Sequence, residues 1–499
     1  MRRTLVRRFA GFGSTGLRGA QDSQFLSQLL HLVGQLEHGL VLLAHVLLQM
    51  GVALFEPGET FCFRHGARMR IAGAQTNPSF PPQHNMMRRS FVLLLALVSL
   101  TLVSCSTPVA NKPAGPLILV SIDGFRWDYL QKYDAPTLKQ LAATGVHATR
   151  MTPSFPSKTF PNHYTIVTGL RPAHHGIVGN WFYDPAVSET FGMSKPDSNS
   201  QEHWWDEGEP VWITAEKQGV RSFCYFWPGS EAVNHGLRPT RSKPFNSKIP
   251  TTARVDELLS RLAVPAAEQP RLCTLYFDLV DHAGHTFGPD APETAAAVKE
   301  ADAAVQRLLD GLAKLGLRDG ANLVIVSDHG MSPCGPDKII FLEDLMDVAQ
   351  VQVYSTGPAG GVRPKPNTVS AAELAASIRA KAPPQLHVYL RDETPEKLHY
   401  RNNPRIPDVV LVCDDHWNFE SKAGWPKRAP TYNIGSHGWD PATPNMGALF
   451  IANGPAFRQH VEIPDVDNVD IYNLLCAALG IKPAANDGSE KLVQAALAR

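Results

Sequence analysis

Four apolar runs without polar alternation punctuate the chain, at Leu117–Ile122 and at residues 272–280, 323–327 and 409–412. An unbroken apolar, β-rich run predicts a strand buried on both faces, the habit of parallel sheets. Each run ends in acid: Asp123, Asp281, Asp328 and the pair Asp414-Asp415. Helical periodicity fills the intervals, at 137–143 and most clearly at 294–315. In the latter, Val298, Ala301, Val305, Leu308, Leu309 and Leu312 share one face. Strands alternating with helices predict an α/β fold, a mostly parallel sheet covered by helices on both faces. Such sheets bind ligands beyond the carboxyl ends of their strands, so an edge that collects three Asp is singled out. No internal repeat is visible.

Two stretches depart from this alternation. Residues 181–254 are rich in aromatics and Pro, and 351–407 hold a Gly/Pro-rich segment, a short helix near 371–378 and a strand at 387–390. Both are expected to be insertions capping the carboxyl edge, where specificity resides. Residues 106–116 read as a linker, 117–485 as the catalytic domain and 486–499 as a C-terminal tail.

The segment 86–105 carries a different signal. Arg88 and Arg89 precede the apolar run 91–103, about 20 Å long as a helix and short of the ~30 Å hydrocarbon core. A basic start, a short apolar middle and small residues after it predict a secretory signal. Its end, Leu102-Val103-Ser104-Cys105, resembles a bacterial lipobox. That implies a lipid anchor at Cys105 and a place on the periplasmic face of a bacterial membrane. Residues 1–85 are left unassigned. The expected natural start is Met86 or Met87, the alternative a genuine N-terminal extension.

Composition narrows the class. The 499 residues carry 47 Lys+Arg and 47 Asp+Glu, which argues against a nucleic-acid polymer held by bulk positive charge. A hydrophobic fraction of 43% supports a sizeable core. Beyond Cys105 lie Cys224, Cys273, Cys334, Cys413 and Cys476, an odd number, so disulfides are not the main support.

The chemistry-bearing residues recur at the predicted strand ends. Asp281 and His285 lie four apart, Asp328-His329 form a second pair, and Ser436-His437-Gly438 adds a third His in a Gly-flanked turn. Three His and three Asp make an N/O set suited to zinc ahead of manganese or iron. His163, His174 and His175 read as structural.

Ordered motifs then carry a resemblance. Ser121-Ile-Asp-Gly-Phe-Arg126, Pro156-Ser-Lys-Thr-Phe-Pro-Asn-His-Tyr164, Asn180-Trp-Phe-Tyr-Asp184, Phe226-Trp-Pro-Gly-Ser-Glu-Ala232, Asp281-His-Ala-Gly-His-Thr-Phe-Gly-Pro289, Ser327-Asp-His-Gly-Met331 and Gly435-Ser-His-Gly438 resemble the nucleotide pyrophosphatase/phosphodiesterase family of the alkaline phosphatase superfamily. The resemblance spans about 117 to 485. It implies two zinc ions, one held by Asp123, Asp328, His329 and Thr159, the other by Asp281, His285 and His437. It further implies Thr159 as nucleophile through a covalent phospho-threonine, and Asn180 as donor to a phosphate oxygen. Phe160 would stack on the base of a small nucleotide or phosphodiester substrate, with Phe245 as the opposite wall, where the family often has Tyr. Asp278 and His282 match no ligand position.

Elementary chemistry agrees. A Thr hydroxyl is a weak nucleophile and needs activation, which a metal supplies. Pro161 and the apolar run after it put Thr159 at a helix start, where anions are favoured. Two divalent cations against three carboxylates leave one net positive charge, an anion site within a neutral chain. Rival readings are a phosphomonoesterase, a sulfatase and a lipid-anchored, non-catalytic nucleotide-binding protein. The first wants an Arg where Asn180 stands, and the second a Cys/Ser-x-Pro-x-Arg motif that is missing. The third would require loss of a ligand or of the nucleophile. Oligomeric state is not legible.

Overall fold

The computed structural model describes residues 115–498. The expected signal segment 86–105, its Cys105 anchor, the unassigned 1–85 and most of the linker lie outside the described residues.

An eight-stranded sheet organises the domain. Its strands in chain order are β1 (Leu117–Ile122), β2 (Val146–Ala148), β3 (Ser222–Tyr225), β4 (Arg241–Lys243), β5 (Leu272–Phe277), β6 (Asn322–Val326), β7 (Phe450–Asn453) and β8 (Val461–Ile463). In space they run β8-β2-β7-β6-β1-β5-β3-β4, and only β7 is antiparallel to its neighbours. β1 is central, with β6 and β5 on its two sides. Its alternate residues feed different cores: Leu117 and Leu119 face one layer, Ile118, Val120 and Ile122 the other. Burial on both faces is what the unbroken apolar runs record.

Helices cover both faces. α1 (Pro136–Thr144), α3 (Thr251–Leu262) and α5 (Pro292–Lys314) pack on the Ile118/Val120 side, α2 (Thr159–Thr168) and α6 (Ile471–Leu479) on the other. α4 (Leu279–Phe287) follows β5 directly. The five described cysteines are all free thiols. Among the described residues no helix is long and apolar enough to cross a membrane.

Four expectations need correction. The run 272–280 is not one strand: β5 stops at Phe277, and Asp278, paired to Arg254 at 2.8 Å, turns the chain into α4. Hydropathy does not distinguish a strand from the buried first turn of a helix. The run 409–412 is a strand buried on both faces, Val409–Cys413, but it belongs to a separate four-stranded sheet whose pairings are all antiparallel. Apolar continuity reports burial and not partner direction. The stretch 181–254 is only partly an insertion, because β3 and β4 form one edge of the central sheet. The domain extends past its expected end at 485: within the expected tail 486–499, helix Lys491–Ala496 buries Leu492 and Ala496 in the core.

Candidate active site

Asp123 follows β1, Asp328 and His329 follow β6, and α4, which follows β5, presents Asp281 and His285 one turn apart. Because β6, β1 and β5 are neighbours in that order, three carboxylates converge at one edge. His437 arrives from Gly435–Ser436, paired with Ser332–Pro333, and its Nδ1 is fixed 2.8 Å from the Ser157 carbonyl. His285 Nδ1 lies 2.8 Å from the Gly435 carbonyl, and His329 Nδ1 lies 2.9 Å from the Gly330 carbonyl. Each imidazole thus has one nitrogen on a backbone oxygen and Nε2 free to face the centre, the usual support of a metal-binding His.

The Nε2 atoms do face the acids. His285 Nε2 and His437 Nε2 lie 3.4 and 3.6 Å from the same Asp281 Oδ1. His329 Nε2 lies 2.8 Å from Asp328 Oδ2 and 3.5 Å from Asp123 Oδ1. Among the described residues, donor atoms of Asp123, Asp328 and His329 lie within 4.8 Å of one another, as do those of Asp281, His329 and His437. The first group reproduces the protein carboxylate and His part of one expected set. The second draws on His329 where the expectation has His285, because the His329 and His437 rings stack 3.4 Å apart and bring the two groups together.

One oxygen of each acid is buried without a hydrogen-bond partner: Asp123 Oδ1, Asp281 Oδ1 and Asp328 Oδ2. Three orphaned carboxylate oxygens facing imidazole nitrogens are a costly arrangement unless a cation compensates them. The donor set therefore fits divalent metal of borderline softness. The charges register the strain. Burial, then repulsion from Asp328 and Asp281, pushes the Asp123 carboxyl well above its usual range. Burial acts on Asp328 in the same sense, but the His329 and His163 rings outweigh it and hold that carboxyl well below. Burial and the neighbouring His329 and His285 keep His437 well below the ordinary imidazole value.

Thr159 is the first residue of α2, and Lys158, not Thr159, is the cap position. Its Oγ1 lies 3.3 Å from His329 Nε2, so the hydroxyl faces the metal-fit groups instead of closing its own helix end. Asn180 Oδ1 accepts the Phe160 backbone N–H at 2.9 Å, which leaves its amide nitrogen available beside Thr159. Phe160 is partly exposed against Phe191 and Trp205, with centroids 5.8 and 6.2 Å away. Phe245 is 47% exposed and packs edge-on to Phe226 and Tyr276. Arg126 donates to Asp128 and the Met331 carbonyl.

Several residues that build the site carry no signal in the one-dimensional pattern. Asn162 Nδ2 donates to the Pro156 and Lys158 carbonyls while its Oδ1 accepts the Ser154 N–H, so it folds the loop before Thr159. His163, read as structural, has Nδ1 2.9 Å from the Thr159 carbonyl and 3.4 Å from Asp328 Oδ2. Lys158 reaches the Ser355 hydroxyl and Ala359 carbonyl, and burial lowers its ammonium to about 8. Asn162 and His163 stand three and four residues past Thr159, a spacing at which helical neighbours share a face.

The chain is similar to proteins of one family. A sequence model described as type I phosphodiesterase / nucleotide pyrophosphatase matches residues 117–440. A pyrophosphatase/phosphodiesterase of Schizosaccharomyces pombe, itself uncharacterised, is 38% identical over 380 residues, 75% of this chain and 78% of that one. A venom phosphodiesterase of Macrovipera lebetinus is 38% identical over 396 residues, and the human ectonucleotide pyrophosphatase/phosphodiesterase family member 1 is 36% identical over 390. The matches cover 77% and 76% of this chain but only 46% and 42% of those two, so the chain spans about half their length. Among solved structures, murine ectonucleotide pyrophosphatase / phosphodiesterase 5, in an inactive threonine-to-alanine form with AMP, superposes with a TM-score of 0.72 at 32% identity. It covers 77% of this chain and 100% of that one.

Proposed function

The chain belongs to the type I phosphodiesterase / nucleotide pyrophosphatase family, and from that premise we propose that it hydrolyses nucleotide-type phosphodiester or pyrophosphate bonds with Thr159 as nucleophile and two zinc ions. The single observation that carries the reading is the trio of orphaned carboxylate oxygens facing imidazoles beside the Thr159 hydroxyl. Asp123, Asp328 and His329, with the Thr159 oxygen, would hold one cation, and Asp281, His285 and His437 the other. Bound divalent cations supply charge stabilisation and Lewis-acid polarisation to phosphoryl chemistry.

The chain's own residues do the rest. Thr159 Oγ1 loses its proton and attacks phosphorus, the bond to the ester or anhydride oxygen breaks and that oxygen leaves, taking up a proton where its product requires one. Water later cleaves the threonine–phosphorus bond, which releases the nucleoside monophosphate and restores the hydroxyl. The N-terminus of α2 favours negative charge at that point. Asn180, its carbonyl held by Phe160 N–H, aims its amide at a phosphate oxygen. A neutral donor suits the single charge of a diester better than the double charge of a monoester. Phe160 offers a ring to the base, with Phe245 as the opposite wall. The inactive threonine-to-alanine form of the murine relative, which holds AMP, supports both the nucleophile and the substrate class.

The test compares turnover of bis(nitrophenyl) phosphate and nitrophenyl phosphate by the zinc-loaded protein. A clear preference for the diester is expected. A preference for the monoester would replace this reading with a phosphomonoesterase. We also propose, from the sequence of 86–105, a lipid anchor at Cys105 on the periplasmic face of a bacterial membrane. Mass spectrometry of the native N-terminus tests it: a lipidated Cys105 is expected, and an unmodified residue there contradicts it.

A further inference from the structure

We infer that Tyr276 is a positioning residue that fixes Asp123 for cation binding. The inference rests on the reading of Asp123 as a cation ligand given above.

Tyr276 stands one residue before the end of β5 and pairs in register with Ser121 of β1. Asp123 lies two residues beyond Ser121, in the turn that follows β1. That register brings the phenol over the carboxylate, and Tyr276 Oη donates to Asp123 Oδ2 at 2.6 Å. An O–H to carboxylate bond of that length is of the strong, charge-assisted kind. It occupies one oxygen of Asp123 and leaves Oδ1, the orphan, turned toward His329 Nε2. The carboxylate is thereby offered through one defined oxygen.

The ring itself is held firmly. Tyr276 is 9% exposed. His163 meets it edge-on at 5.2 Å and Phe245 at 5.8 Å. His163 Nε2 lies 2.8 Å from Ser121 Oγ, on the same stretch of β1. The Tyr276 carbonyl accepts from Arg254 Nη1 at 3.0 Å, and Arg254 is anchored by Asp278. A phenol clamped on ring and backbone has one place to put its hydroxyl. Groups that orient a metal-binding carboxylate in this way are commonly worth about 10- to 100-fold in metal affinity or activity.

The test is Tyr276→Phe in the full chain, which keeps the ring and its packing and removes only the hydroxyl. Zinc affinity is read by competition with a chromophoric chelator, beside Tyr225→Phe, a neighbouring-strand phenol bonded to Glu257. Tyr276→Phe is expected to weaken zinc about 10- to 100-fold while Tyr225→Phe matches wild type. Activity lost at limiting zinc is expected to return at saturating zinc, with KM for a nucleotide diester unchanged. The unfolding midpoint of the metal-free protein reports whether either variant is merely misfolded. Wild-type and Tyr276→Phe affinities within twofold would overturn the inference alone. A wild-type chain that binds no divalent cation would overturn the reading of the site beneath it, and the inference with it.

Discussion

The role proposed for Thr159 rests on what its hydroxyl does not do. Ser, Thr, Asp and Asn commonly close helix starts with their own side chains, but at α2 the cap position is Lys158 and the Thr159 hydroxyl faces His329. Its neighbour Phe160 is half anchored and half open. Stacking of a base on an aromatic ring is worth about 1–3 kcal/mol. Phe160→Ala is therefore expected to raise KM for nucleotide diesters about 5- to 150-fold with kcat little changed, read by steady-state kinetics. An unchanged KM would remove Phe160 from the binding site. The candidate ligands were legible as letters because Asp and His at the ends of apolar runs have no part in a core. Tyr276 and Asn162 were not, because a Tyr within a strand reads as packing and an Asn within a helix reads as surface. Only the register of β1 on β5, and the fold of the loop 154–158, turn them inward.

At the scale of elements, close backbone approach and buried polar links hold the site. A Cβ on Gly435 would lie 2.3 Å from the Gly284 carbonyl of α4, so the short strand before His437 passes against the helix that carries Asp281 and His285. Gly435→Ala forces them apart. It is expected to cost about 1–3 kcal/mol of stability and to weaken zinc measurably in the chelator competition; wild-type affinity would show that the two elements tolerate separation. His175 joins the end of α2 to the turn after it. Its Nδ1 accepts the Ile177 N–H at 3.2 Å, and its Nε2 lies 3.0 Å from Thr165 Oγ1. Burial pushes the imidazole down to about 3. The unfolded chain binds this proton below about pH 6.5 and the native one does not until about pH 3, so stability falls as pH drops through that window. Replacing His175 by Gln is expected to lower stability at pH 7 and to narrow its gap to wild type toward pH 4, in urea unfolding. A gap independent of pH would contradict the buried neutral ring. Elements were legible where periodicity and length were unambiguous, as in α5. Residues 409–412 misled because a strand sandwiched between two cores has the same letters in a parallel or an antiparallel sheet.

On the scale of the whole molecule, a chain of zero net charge gathers metal-fit donors at the ends of three adjacent strands. The cost of that gathering is that two buried carboxylates and a partly buried third crowd together, with Asp123 repelled by the other two. A ligand at a thousandfold excess over its Kd stabilises a fold by about 4 kcal/mol, so removal of metal by chelator is expected to lower the unfolding midpoint by several degrees and to abolish turnover, both restored by zinc. Loss of neither would contradict a metal site. The α/β class and the edge that gathers the candidate metal donors were legible from the sequence, because burial of strands and Asp and His at their ends both leave one-dimensional marks. The membership of β3 and β4 in the central sheet was not, because β3 is only four residues long and the edge strand Arg241–Lys243 carries no apolar run. The most direct test of the account is the turnover of a nucleotide diester by Thr159→Ala at saturating zinc. A nucleophile acting in concert with its site is worth roughly 10⁴- to 10⁶-fold in kcat. The account predicts a loss of that order with the fold intact, and turnover within tenfold of wild type would contradict it.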